Sequence, residues 1–487
     1  MGGTASPAPQ IEDDAVSPAD GKPAATRQAG AANTKTIAQT LAQFATDLRY
    51  EDIPEELIAL AKGHFLDTLG LALASSGTDF AAAALKAATE LGHADEATAL
   101  GSGRRLPAAS AALVNGTLAH GLDFDDTHIG AIYHASAPAF AATLTVGESL
   151  DASGKDLLVS FIVALEIGCR LAMSGAGAFH DRGFHPTSQC GTFAAAAAAC
   201  KLRGSSCDST VSALGLCGSM ASGILELRES WLKRLHPGWA AHAGIVAAAL
   251  GSAGFRGPAT VFEGPHGFYA SHLGTIPTGA NSPIAGLGES WTSMGLALKP
   301  YPICHFVHSF VDAALVIRGQ FDIAEVERID CPLTPRLQPI VGEPRELRIR
   351  PPTVYDALFS VPYAVALAFV KGRVDLAALY DEPLHDPELL DLAARTFCPD
   401  DPDSDYPAHF PGEVRVFLKD GRVISRREAC SRGTPERRLA PLEIEEKFHR
   451  NAQRVLAPSR VSELAEMVWK IEQVDVRGLV AACSANS

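Results

Sequence analysis

From Thr36 onward, apolar residues recur at helical spacing. Ile37, Leu41, Phe44, Ala45 and Leu48 share one face, and Ile53-Pro54-Glu55-Glu56 reads as the start of the next helix. The segments 107–121, 136–150, 155–174, 188–202, 208–226 and 238–254 are Ala-rich, apolar on most faces and separated by short Gly/Pro/Ser joints. Helices of that kind are surrounded by other helices, so they predict the middle of a bundle. Near residue 300 the texture changes to Pro-rich joints and β-branched runs, among them Arg328–Cys331 and Gly412–Leu418. Asp420-Gly421, followed by Arg422-Val423-Ile424-Ser425, is a two-residue hairpin signal. A smaller α+β domain is therefore expected from about 300 to 430. Helical spacing returns between Glu443 and Ala482, through Phe448, Ala452, Val455, Leu464, Met467 and Val468, and predicts a C-terminus that packs back on the first helices.

Length and composition narrow the class. A chain of 487 residues fits two or three domains, and 47% apolar with 20% charged residues is ordinary for a globular protein. Residues 1–33 are rich in Ala, Pro, Gly and Asp without an apolar period and read as a disordered leader. Met1-Gly2-Gly3-Thr4-Ala5-Ser6 matches the short myristoylation pattern, a loose match that often arises by chance. A formal charge of −15 with no long Lys/Arg run argues against a nucleic-acid partner. It leaves an acidic substrate open, because a few cations in a cleft dominate the local field. The 10 cysteines never form CxxC and lie mostly in apolar surroundings, which suits reduced core residues in a cytoplasmic protein. No run of eighteen apolar residues lacks charge or glycine, and no signal peptide begins the chain, so no membrane partner is expected.

The candidate chemistry lies at the joints between helices. His120-Gly-Leu-Asp-Phe-Asp-Asp-Thr-His128 ends an apolar helix with three carboxylates, against the helix dipole, so something must offset their charge. His134-Ala-Ser136 follows, with Ser136 a plausible cap. A metal set drawn from His120, Asp123, Asp126 and His128 matches no defensible ligand spacing, and no metal is expected. Arg182-Gly-Phe-His185-Pro-Thr-Ser188, Trp231-Leu-Lys233-Arg-Leu-His236-Pro-Gly238 and Lys299-Pro-Tyr-Pro-Ile-Cys-His305 each place His or Lys ahead of an expected helix start, Trp231–Gly238 ahead of a helix from Trp239. One such residue is usually structural; several that converge make an anion site. Removing or returning a proton next to a carboxylate needs a positioned base and cationic stabilisers, and His, Lys and Asp123 supply both. GxGxxG after a strand, P-loop and GxSxG signatures are all missing, which removes nicotinamide, nucleotide and serine-hydrolase readings; no cofactor is expected.

These segments resemble the MmgE/PrpD family, which includes 2-methylcitrate dehydratase, cis-aconitate decarboxylase and iminodisuccinate epimerase. The likeness runs over about 36–480 and is carried by Leu122–His128, Gly183–Ser188, Lys233–His242 and Lys299–Pro302, with weaker matches at Phe359–Tyr363 and Glu443–Phe448. It implies a homodimer and a mainly α fold: a large all-α domain from both chain ends (34–295 and 431–480) with an inserted α+β lid (296–430). Matched residue by residue, it implies Asp123, Thr127, His134, His185 and Lys233 as catalytic residues. It adds Lys299 as a carboxylate clamp, with His236 and His305 as neighbours. Departures are Ala135-Ser136 after His134, where relatives commonly have Pro-Ser, and the stretch Pro335–Pro339, which offers Arg336, taken as a substrate-binding candidate, and Gln338 in place of the decarboxylases' pocket tyrosine. The expected activity is a lyase on a small di- or tricarboxylate, by dehydration or decarboxylation. Epimerisation of an imino- or aminodicarboxylate is the alternative, and a non-catalytic carboxylate binder is the rival of another class.

Overall fold

The helices follow from the Ala-rich texture, since small side chains let neighbouring backbones approach closely. The computed structural model describes residues 35–227 and 230–484; the 1–33 leader and the myristoylation match lie outside the described residues. The fold is mainly helical with a small mixed sheet in the C-terminal region. The helices Ala108–Ala119, Ser136–Leu150, Gly154–Met173, Pro186–Leu202 and Leu232–Ser252 pack on one another as the apolar pattern requires. Helix Glu55–Ser75 is long and apolar enough to cross a membrane by length and composition; Leu57, Ala61, Phe65, Leu66 and Leu69 on it are buried in the protein core.

Buried apolar side chains fall into two large groups. One draws on residues from Ile37 to Leu298 and again from Leu439 to Cys483; the other runs from Tyr301 to Leu418. The second group packs on a sheet in which Val326–Asp330 pairs in parallel with Thr396–Phe397 and antiparallel with Gly412–Leu418, which forms the hairpin with Val423–Glu428. Gly421 takes φ +87° in that turn, a conformation glycine adopts without steric cost.

Three local expectations are corrected. The helix expected over 208–226 stops at Met220, because the chain turns extended and Gly223 takes φ +123°; its carbonyl then accepts from the His185 N–H at 3.1 Å. The helix expected from Trp239 begins at Leu232, with Pro237 inside it, so Lys233 and His236 ride on its first turns rather than ahead of it. Proline there deletes the bond to the Lys233 carbonyl without ending the helix. Ser136 does not cap its helix; its hydroxyl turns to Asp126.

Close approach of two helices places the site. A Cβ on Gly116 would stand 2.6 Å from the Gly238 Cα, and one on Gly238 would run into the Leu113 carbonyl oxygen. This contact brings the end of Ala108–Ala119, which leads to His120, against the start of Leu232–Ser252, which carries Lys233 and His236. Gly238→Ala is expected to destabilise the protein by about 1–3 kcal/mol through overpacking. A thermal melt checks this, and an unchanged midpoint would mean that the helices part freely.

Candidate active site

The loop after Ala119 carries its carboxylates at the negative end of a helix, and each is met by cations or donors. Asp123 takes φ 51°, left-handed for a non-glycine residue, and this turns its side chain toward two lysines. Lys233 Nζ lies 2.6 Å from Asp123 Oδ2, and Lys299 Nζ 2.9 Å from Oδ1 and 2.8 Å from the Asp123 carbonyl. Lys299 is delivered by a short pairing of Thr127–His128 with Leu296–Ala297. Burial opposes the charge on Asp123, but Lys233 and Lys299 outweigh it and hold the carboxyl well below its usual range. Asp125 accepts from His120 Nδ1 at 2.8 Å; burial pushes it up to about 6. Asp126 accepts from His64 Nδ1 at 2.8 Å and from the Ser136 hydroxyl at 2.5 Å, which together overcome its burial and keep it low.

Four imidazoles stand beside this loop. His134 Nδ1 is 2.7 Å from the Asp126 carbonyl and 3.3 Å from the Thr127 hydroxyl. A carbonyl only accepts, so Nδ1 carries the proton and Nε2 keeps its lone pair. The His134 N–H donates to the Thr187 hydroxyl at 3.1 Å, tying this loop to the His185 joint. His185 and His236 face each other through Nδ1 atoms 2.7 Å apart, so one of the two donates. His120 Nε2 is buried without a hydrogen-bond partner among the described residues. Ring centroids are 4.6 Å apart for His120 and His134, 6.0 Å for His134 and His185, and 4.9 Å for His185 and His236. Burial, reinforced by neighbouring imidazoles and the lysines, pulls His134 down to about 3 and His236 to about 4, with His120 and His185 well below their ordinary value. The free site is a neutral imidazole cluster beside two ammonium groups.

Ligand atoms of His120, His134 and His185 lie within 4.8 Å of one another, close enough for a shared cation. Charge argues against that use, since Lys233 and Lys299 already bring two cations to Asp123. His305 is buried 3.3 Å from the Ser431 hydroxyl; burial and the Lys299 charge pull it to about 3. Arg336 is exposed, 5.4 Å over the Tyr406 ring, and no hydrogen bond or ion pair among the described residues links it to Asp123 or the histidines.

Two domain families match the chain: the MmgE/PrpD N-terminal domain over residues 39–278 and the MmgE/PrpD C-terminal domain over 301–473. The chain belongs to the MmgE/PrpD family. Among its curated relatives, the cis-aconitate decarboxylase of Homo sapiens is 28% identical, with 91% of this chain and 93% of the relative aligned. A cis-aconitate decarboxylase-like protein of Aspergillus oryzae is 26% identical over 92% of this chain and 98% of its own length. The cis-aconitate decarboxylase of Aspergillus terreus is 25% identical over 92% and 96%.

Within this MmgE/PrpD chain, the structure adds residues that sequence reading passed over. His120 was considered only in a discarded metal set, and its partner Asp125 only as one of three carboxylates after the helix. Tyr355, beside the Arg234 guanidinium, comes from a segment with no motif. Arg234 donates to the Gly121 carbonyl at 2.8 Å and lies 5.7 Å from the Tyr355 ring, bridging the loop and that segment.

The buried neutral histidines set a pH dependence. Below the ordinary value of 6.5, the unfolded chain binds protons that folded His120, His134, His185, His305 and His308 refuse, so stability falls as pH drops. Asp125 works the other way: raised from 3.8 to about 6, it adds stability as pH falls through that interval. The histidines outnumber it. Urea midpoints are expected to fall between about pH 7 and pH 5, and a flat or rising midpoint would contradict the burial of neutral imidazoles.

Proposed function

We propose that the protein is a cofactor-independent carboxy-lyase acting on a small tricarboxylate of the cis-aconitate class. The observation that carries this reading is Asp123 held between Lys233 and Lys299 beside a cluster of neutral, buried imidazoles. The names of the relatives at 25–28% identity favour decarboxylation. Loss of carbon dioxide breaks a carbon–carbon bond and sends its electron pair into the remaining alkene and carboxylate. A proton must then reach carbon, and one is consumed per carbon dioxide released. Lys233 and Lys299 supply fixed cations where the negative charge develops. His134 has its free Nε2 for the proton. Burial and the lysines depress His134, whereas a bound polyanion opposes both, so the imidazole takes up a proton as substrate binds and gives it to carbon. The His185–His236 pair is a second proton store.

Dehydration or epimerisation is the second reading, because Pro335–Pro339 holds no tyrosine where the resemblance implies one for a decarboxylase. The set of Asp, His and Lys at one buried site speaks against a non-catalytic binder. We take 296–430 as a lid on a helical body of 34–295 and 431–480; the two groups of buried side chains support that division, and the homodimer implied by the resemblance is part of the same proposal. Carbon dioxide released in step with loss of cis-aconitate is the expected result. New alkene absorbance from citrate or 2-methylcitrate, without carbon dioxide, would replace decarboxylation with dehydration.

A further inference from the structure

The Glu443–Phe448 segment has no part in the chemistry above, yet it carries a buried ammonium group. Lys447, on helix Pro441–Ala452, is 3% exposed, unusual for lysine. Its Nζ is 2.7 Å from Asp67, donates to the Phe124 carbonyl at 2.9 Å, and lies 3.7 Å from the Phe124 ring centroid. Lys299 donates to the preceding carbonyl, that of Asp123. Successive carbonyls of the left-handed turn are thus each gripped by a buried ammonium from a distant part of the chain. Asp67 is itself fully buried on helix Glu55–Ser75, one turn beyond His64, which holds Asp126. That single helix therefore steadies the loop twice, at Asp126 through His64 and at Phe124 through Lys447.

We infer that Lys447, paired with Asp67, is a positioning residue that fixes the Phe124–Asp125 peptide, next to the Asp123–Phe124 peptide held by Lys299, so that the Asp123 carboxylate faces Lys233 and Lys299. The inference rests on the assignment of Asp123 to the reacting cluster. Stability alone is a poor reason for the pair, because a buried ion pair is often matched or bettered by apolar residues of the same size. A non-glycine residue at φ 51° persists only where its surroundings over-determine it, and two carbonyl grips do that.

Lys447→Met alone leaves Asp67 an unpaired buried carboxyl and is expected to fold poorly, so the informative protein is the double variant Lys447→Met/Asp67→Asn, which removes both charges. In the folded double variant, kcat is expected to fall about 10- to 100-fold with little change in KM, as for a misplaced reacting group. The acid limb of its pH profile should move upward as Asp123 loses its lysine contacts, and Lys447→Arg, which keeps the charge, should recover part of the loss. A crystal structure should show Asp123 out of the left-handed region and farther from Lys233. A folded double variant with parental kcat, pH profile and Asp123 geometry would overturn the inference. If the unaltered protein turns over no polycarboxylate, the proposed activity fails by itself. The crystal structure then decides separately: a displaced Asp123 supports positioning, and an unmoved one rejects it.

Discussion

His134→Asn is expected to lower kcat by about 10²- to 10⁴-fold, the range for loss of a positioned general acid or base. Asparagine keeps an amide donor at the position of Nδ1, which now meets the Asp126 carbonyl at 2.7 Å, so the loop should hold its shape. What it removes is the proton-accepting Nε2. The loss should lie in kcat rather than KM, since carboxylate binding falls to Lys233 and Lys299. Steady-state kinetics on the folded variant check this, and turnover within about twofold of the parent would move the proton-transfer role to His185 or His120.

Asp123→Asn should give a different signature. Neutralising Asp123 leaves Lys233 and Lys299 without their counter-ion, so the site gains a positive charge. An anionic substrate should then bind as tightly or more tightly, while the lysines lose the orientation that serves the developing carbanion. The expected result is a kcat lowered by about 10²- to 10³-fold with KM unchanged or reduced. Stability should also fall, by about 3–5 kcal/mol if the buried Lys299 contact behaves as a broken buried ion pair. A raised KM with normal kcat would show instead that Asp123 only shapes substrate binding.

Much of this site could be read from the sequence because its residues share one device, a His or Lys at a helix joint. His134, His185, Lys233, His236 and Lys299 all reach the Asp123 region, although Lys233 and His236 do so from within a helix that was expected to begin only at Trp239. Other features had no local signal. Tyr355 comes near the site loop only through tertiary folding, by way of Arg234, and sits in no recognisable pattern. Arg336, singled out because it occupies the region of an expected tyrosine, instead lies exposed over Tyr406. Lys447 looks like an ordinary solvated helix lysine in sequence, and its partner Asp67 lies hundreds of residues earlier, so periodicity could not join them. The carboxylates after Ala119 did announce that they needed compensation, but the sequence did not say that His120, His64 and two lysines would provide it.

Proton NMR of the purified, chelator-treated protein in deuterium oxide, with cis-aconitate, citrate, 2-methylcitrate and iminodisuccinate, tests the central claim most directly. Metal-free consumption of cis-aconitate, with carbon dioxide released and one solvent deuterium fixed on carbon in the product, is the predicted result. A folded protein that alters none of the four, or that acts only after metal is restored, would contradict it.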